Sequence, residues 1–166
     1  LSTFAPSGPL RGVKRDLYEG GIREPMVAWW PGTIAPGRIS RHIGYFGDIL
    51  ATFAELARGD TPAGLDSLSF ASELRGLPQT PKDHLYFEFV EHGGKQAVRK
   101  GKWKAVRFGI GQGALELYDL DTDLGEAHNV AEAHPDVVAQ LATIMEKEHV
   151  RDERWLPSGT RRADPP

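Results

Sequence analysis

Lys14 stands upstream of a Gly-Gly pair, five residues before Glu19 and six before Gly20. A lysine ammonium is a compact point charge with three donors, which suits it to hold an oxyanion. Gly20 and Gly21 can let backbone approach closely or take positive φ, and so shape a loop around such a cation. A solvated basic loop with a structural turn is the competing reading of the same residues. His92, beside Glu91 in the turn "EHGG", is a second candidate as a ligand-contacting tip, against an exposed histidine with no role. Asp119, Asp121 and Asp123 alternate as in a calcium loop, but such a loop needs Gly at position six and Glu at position twelve. Counted from Asp119, those positions are Leu124 and Val130, so a turn and helix cap is expected and no metal site is assigned. "GIGQG" (109–113) lacks GxGxxG spacing and a following helix, and reads as a strand connection. No Ser-His-Asp or paired-carboxylate arrangement follows from spacing alone.

These residues sit in a chain of 166, enough for one domain or two small subdomains. A net charge of −3 and a pI near 6.1 give no nucleic-acid footprint. Cysteine is absent, which removes disulfides, thiolate catalysis and zinc–thiolate sites. No apolar run approaches the roughly 20 residues of a membrane span. The chain begins at Leu1 without a signal peptide, which leads to the expectation of a longer parent sequence upstream.

The elements follow from periodicity. Residues 1–25 read as loop, and "MVAWW" (26–30), closed by Pro31-Gly32, as a short buried strand. Ile43, Phe46, Ile49, Leu50, Phe53, Leu56 and Ala57 recur at threes and fours. They predict an amphipathic helix from Ser40 to Arg58, with Ser40 as N-cap and Gly59 as stop. Residues 59–83 form a connector with a short helix near "FASELRG" (70–76). The period then becomes two: segments 84–90, 95–101, 102–108 and 114–120 are separated by tight turns and predict an antiparallel meander. Leu85, Phe87 and Phe89 share one face of the first strand. Pro135 opens a last helix, with Asp136 in its first turn and an apolar stripe of Val137, Val138, Leu141, Ile144 and Met145 that covers one sheet face. Trp29, Trp30, Trp103 and Trp155 are read as packing residues. The sequence thus divides into 1–60, a connector 61–83, an α+β unit 84–150 and a polar tail 151–166.

The order of these pieces carries a resemblance. "LRGVKRDLYEGGIREP" (10–25), followed by an apolar run and W-P-G, resembles the LRGxKxxxxEGGxRxP segment of type I, arylsulfatase-like sulfatases of the alkaline phosphatase superfamily. "GYFGDILATFAELA" (44–57) is similar to the family's D-[IL]-x-x-T-x-x-x-L-A helix. "LDSLSFASELRG" (65–76) is similar to its D-G-x-S-x-x-x-x-L-x-G, with Ser67 where glycine is usual. "QAVRKGKWKAV" (96–106) and "LELYDLDTDLGEAHNVAEAHP" (115–135) resemble its C-terminal segments.

The resemblance implies an α+β chain: the end of an α/β sulfatase catalytic domain, then a C-terminal subdomain of four-stranded antiparallel sheet packed on a C-terminal helix. It implies hydrolysis of sulfate esters by a full-length enzyme that uses formylglycine and Ca2+, with Lys14 donating to the sulfate oxygens. Arg11, Glu19 and Arg23 would brace the loop, and the turn 88–96 with His92 would help choose the substrate. The cysteine nucleophile motif C-x-P-x-R, the paired aspartates of the calcium site and the D-N-G segment are missing. The expectation is therefore the C-terminal portion of a sulfatase, inactive alone and holding no cofactor. Two alternatives stand beside it: a non-catalytic α+β module for binding or oligomerisation, and a phosphoester or phosphonate hydrolase of the same superfamily. Partners expected are a sulfate ester in the full-length protein and self-association through exposed surface, without nucleic acid. The family resemblance favours a periplasmic or extracellular location.

Overall fold

Four short strands with tight links pair in sequence order. In a computed structural model, which describes residues 6–152 and 154, β1 (Leu85–Phe89), β2 (Lys95–Lys100), β3 (Trp103–Phe108) and β4 (Leu115–Asp119) form one sheet of order β1-β2-β3-β4. Strand β3 is antiparallel to both neighbours, in a register that sets Ala97 opposite Val106, Arg99 opposite Lys104, and Lys104 opposite Tyr118. The expected antiparallel meander is present, with ends one residue shorter in places. Trp155 and the tail from 155 onward lie outside the described residues.

Two compact units divide the chain. Among the described residues, one joins 6–24 to 86–152, and the other is 25–85. The segment around Leu17, Tyr18 and Ile22 packs with the sheet.

In the sheet unit, alternation sorts side chains to two faces. Val98, Ala105 and Leu117 face one way and are buried with Leu141 and Met145 of the final helix, α4 (Pro135–Glu148). Val137, Val138 and Ile144 complete that contact, so the stripe expected of this helix is the stripe that packs. Trp103 also packs here, its ring 4.8 Å from that of His134. Pro135 lies in the first turn and Asp136 supplies the acidic group there.

Ala97, Val106 and Tyr118 face the other way. They are covered by Leu17, Tyr18 and Ile22, with Phe87 and Phe89 at the margin. The stretch read as loop therefore covers a sheet face. It also contains one helical turn, α1 (Glu19–Ile22), despite its two glycines. The ion pair from Lys104 to Glu19 and the packing of Leu17, Tyr18 and Ile22 on the sheet outweigh the poor local propensity.

The glycines in that turn are required by space. A Cβ on Gly20 would lie 2.5 Å from the carbonyl oxygens of Arg11 and Gly12, and one on Gly21 would lie 2.1 Å from that of Asp16. The Gly20 N–H donates to the Arg11 carbonyl at 2.7 Å and closes the loop 11–20.

In the second unit, α2 (Asp48–Leu56) begins eight residues later than expected. Glycines at 44 and 47 weaken any helix there, and the Ser40 hydroxyl accepts instead from the His42 N–H. The C-terminus is a Schellman turn. Arg58 takes φ 58°, its N–H donates to the Glu55 carbonyl, and the Gly59 N–H donates to that of Ala54. Gly59 thus follows the left-handed residue and does not supply it. Asp48 and Thr52 pin the connector: the Leu68 N–H donates to Asp48 Oδ1 (2.8 Å) and the Phe70 N–H to Thr52 Oγ1 (3.0 Å). Ser67 uses its side chain, donating to the Gly47 carbonyl at 2.7 Å. The short helix expected near 70–76 is α3 (Ala71–Leu74).

Residues 26–30 are not a buried strand. Val27 is 92% and Trp29 85% exposed, and no described strand pairs with them. A strand gains stability from cross-strand partners, and none stands beside this run. Packing is therefore the wrong reading for Trp29 and for the partly exposed Trp30.

Candidate functional site

Lys14 sits in a tight turn closed by the Asp16 N–H donating to the Val13 carbonyl at 2.9 Å, with Arg15 at φ 78°. Asp16 Oδ2 also accepts from the Val13 N–H. Lys95 of β2 holds the turn from the sheet, with Nζ 2.8 Å from Asp16 Oδ1 and 3.0 Å from the Arg15 carbonyl. The hydrogen bonds from Lys95 and from the Val13 N–H keep the Asp16 carboxyl below the usual carboxylate range. Arg15 Nε lies 3.5 Å from Glu91 Oε2. Lys14 is exposed and, among the described residues, has no ion pair, although its neighbours Arg15 and Asp16 are both paired. An ammonium held on a braced turn without a carboxylate is free to accept an anion.

The Arg15–Glu91 pair joins this turn to the β1–β2 hairpin. His92 lies at the tip of that hairpin, exposed, with φ 54°, followed by Gly93 and Gly94 at φ 86° each. Left-handed backbone is costly for a side chain with Cβ, and such strain concentrates at ligand-contacting positions. The structure thus brings the loops of both sequence candidates, Lys14 and His92, together. The Asp119–Asp123 segment is the turn expected: Asp123 carboxylate oxygens accept from the Ala127 and His128 N–H groups. "GIGQG" links β3 to β4, with the Gly111 N–H donating to Gln96 Oε1 at 3.0 Å.

Beneath the Lys14 loop lies a buried ionic cluster that sequence reasoning missed. Lys104 is fully buried on β3, its Nζ 2.9 Å from Glu19 Oε1 and 3.2 Å from Glu126 Oε1. Glu126 Oε2 accepts from the Glu19 N–H at 2.6 Å. Arg23 and Arg99 approach Glu19 Oε2 at 3.3 and 3.5 Å. The available signal was period two in β3, which places Lys104 on the same face as buried Val106.

Burial disfavours the charge on Glu19, yet Lys104, with Arg99 and Arg23, outweighs it and holds the carboxyl below its ordinary value. For Glu126 burial wins over Lys104, and its carboxyl is held above the ordinary value. The charged form of Glu19 therefore contributes stability that is complete above the ordinary carboxylate range and is lost as pH falls through its depressed pKa. The charge on Glu126 opposes folding above its unfolded pKa, and protonation relieves that penalty. At neutral pH, Glu19→Gln should thus destabilise more than Glu126→Gln, and it should flatten the acid limb of the stability–pH curve. Urea midpoints across neutral to acid pH measure this, and a larger neutral-pH loss for Glu126→Gln would contradict it.

Arg11 completes the support. Its guanidinium lies over the Tyr18 ring at 3.9 Å, and Nη1 donates to the Tyr118 hydroxyl (2.7 Å) and to the Glu126 carbonyl (2.9 Å). Tyr18 and Tyr118 both donate to Glu116 Oε2. Burial and that hydrogen bond push the Tyr118 phenol up to about 12.

The comparisons agree with this architecture. Residues 13–151 match the family model described as N-sulphoglucosamine sulphohydrolase, C-terminal. Human arylsulfatase A is 36% identical over 173 residues, covering 87% of this chain and 34% of that protein. N-acetylgalactosamine-6-O-sulfatase of Bacteroides thetaiotaomicron is 29% identical over 166 residues, covering 91% of this chain and 32% of that protein. A solved structure from glycosaminoglycan metabolism in Bacteroides thetaiotaomicron matches with a TM-score of 0.74 at 28% identity, covering 88% of this chain and 33% of its own. The chain belongs to the sulfatase family, in its C-terminal region. It spans about a third of the length of the curated relatives it matches.

Formylglycine and Ca2+ are features of sulfatases that this chain's residues do not fit. There is no cysteine to convert, the hydroxyl of Ser7 in the run S-G-P-L-R donates to the Gly20 carbonyl at 3.0 Å, and among the described residues no three histidine or acidic side chains converge as metal ligands. Among the described residues no helix is long and apolar enough to cross a membrane.

Proposed function

We propose that this chain is the part of a sulfate-ester hydrolase that supplies a sulfate-binding lysine and a substrate-cleft loop. In this reading Lys14 donates to the sulfuryl oxygens and stabilises the charge that builds there as the S–O bond breaks. The observation that carries the reading is the exposed ammonium of Lys14, unpaired among the described residues, on a turn whose flanking residues are tied down by Lys95 and Glu91. The 88–96 turn overhangs the bound ester, and His92 contacts the part of the substrate that differs between sulfate esters. The nucleophile and metal come from residues outside this chain, so the chain alone does not turn over.

The purified chain should show no hydrolysis of an aryl sulfate, and robust turnover would sink the reading. In a full-length enzyme containing it, His92→Ala should change KM for one sulfate ester relative to another, with kcat for the better substrate little altered. Identical KM ratios would remove His92 from the site.

The exposed apolar run supports a second reading, self-association of the isolated chain. Val27 and Trp29 are almost fully exposed, and contiguous apolar surface of this kind drives contact between copies. Light scattering of the chain should report a mass above the monomer, and Trp29→Ser with Val27→Ser should reduce it. A clean monomer at high concentration would exclude this.

A further inference from the structure

Glu126 touches both ends of the loop that carries Lys14. Its carbonyl accepts from Arg11 Nη1 at 2.9 Å, on the N-terminal side of the loop. Its carboxylate accepts from the Glu19 N–H at 2.6 Å, on the C-terminal side. The loop base is closed between them by the Gly20 N–H donating to the Arg11 carbonyl. Glu126 itself is fully buried and takes φ 52°, a conformation that glycine adopts more easily. That backbone turn lets one residue present its carbonyl and its carboxylate to the same loop. Lys104, 3.2 Å from Oε1, keeps the carboxylate aimed at it from the sheet.

We propose that Glu126 is a positioning residue, a double clamp that fixes the Lys14 loop on the sheet through its carbonyl and its carboxylate. This rests on the reading of Lys14 as the anion-binding cation, because the clamp matters to catalysis only if the loop carries that group. A turn held at one end would let the ammonium wander by ångströms, and catalysis by a point donor falls steeply with such misplacement. The strain at Glu126 and the burial of three charges are then the cost of a fixed loop.

Hydrogen exchange on the full chain tests the clamp. The measured quantity is amide protection at Glu19 and Gly20 relative to that at Ala105 and Val106 in the same sample. The ratio reports local release of the loop and cancels any general loss of stability. In Glu126→Ala the ratio should fall about tenfold, the equivalent of one lost buried hydrogen bond. Glu126→Gln, whose amide oxygen can accept from the same N–H, should restore most of it. Glu126→Gly accepts φ 52° without strain and replaces the alanine variant should that fail to fold. A ratio unchanged within about twofold in the alanine or glycine variant, or no recovery in glutamine, overturns the clamp.

The two readings fail separately. Lys14→Met should leave the exchange ratio untouched. If it also leaves sulfate-ester hydrolysis by the full-length enzyme untouched, the role of Lys14 falls while the clamp stands.

Discussion

Replacing Lys104 with methionine lowers the unfolding free energy by about 3–5 kcal/mol, the range for breaking a buried ion pair by removing one partner. The side chain is fully buried, and its ammonium lies within 3.2 Å of two carboxylates that are themselves buried. Methionine fills a similar volume, so the loss is electrostatic and leaves no cavity. Glu19 then keeps Arg23 and Arg99, but Glu126 keeps only the Glu19 N–H. Adding Glu126→Gln to Lys104→Met should recover part of the loss, because it removes the carboxylate left without a cation. Urea unfolding gives the numbers, and a loss under about 1 kcal/mol would show that solvent reaches the cluster. The surface pair Lys102–Asp119, by contrast, is screened by water and should leave the urea midpoint little changed when it is removed.

Lys14→Met has the opposite profile. Lys14 is exposed and, among the described residues, unpaired, so the substitution should change stability by no more than about 0.5 kcal/mol. In a full-length sulfatase containing this chain it should lower kcat by about 10²–10³, the loss on deleting one preorganised donor from a developing oxyanion. Lysine is a point donor on a long stem, so Lys14→Arg should recover only part of the rate, the guanidinium being larger and planar. The two substitutions should therefore separate, Lys104→Met lowering stability and Lys14→Met lowering turnover of the full-length enzyme.

Much of the sheet unit is legible in the sequence. Period-two runs and glycine turns give all four strands, and the stripe from Val137 to Met145 gives the helix and the face it buries. Local pattern could not reveal that Leu17, Tyr18 and Ile22 cover the opposite face, because that segment is short, polar and glycine-rich. Its structure comes from long-range partners, chiefly Lys104 and Glu126, more than 80 residues away in the chain. The helix expected from Ser40 has the right apolar spacing, yet spacing carries no penalty for Gly44 and Gly47, and the helix starts at Asp48. "MVAWW" has the composition of a buried strand, but composition does not supply the neighbour that a strand must pair with, and here the run is exposed. Lys14 and His92 were each visible as residue types. That their loops meet through Arg15 and Glu91 was not, because the two lie far apart in sequence and the contact is set by the sheet.

Inhibition of the full-length enzyme by inorganic sulfate tests most directly whether the Lys14 ammonium grips the anion, since it involves no chemical step. Loss of one charge-assisted hydrogen bond, about 1.5–3 kcal/mol, should raise the inhibition constant of Lys14→Met at least tenfold. An inhibition constant equal to that of the unsubstituted enzyme would mean that Lys14 is a solvated surface lysine and that the anion is held elsewhere.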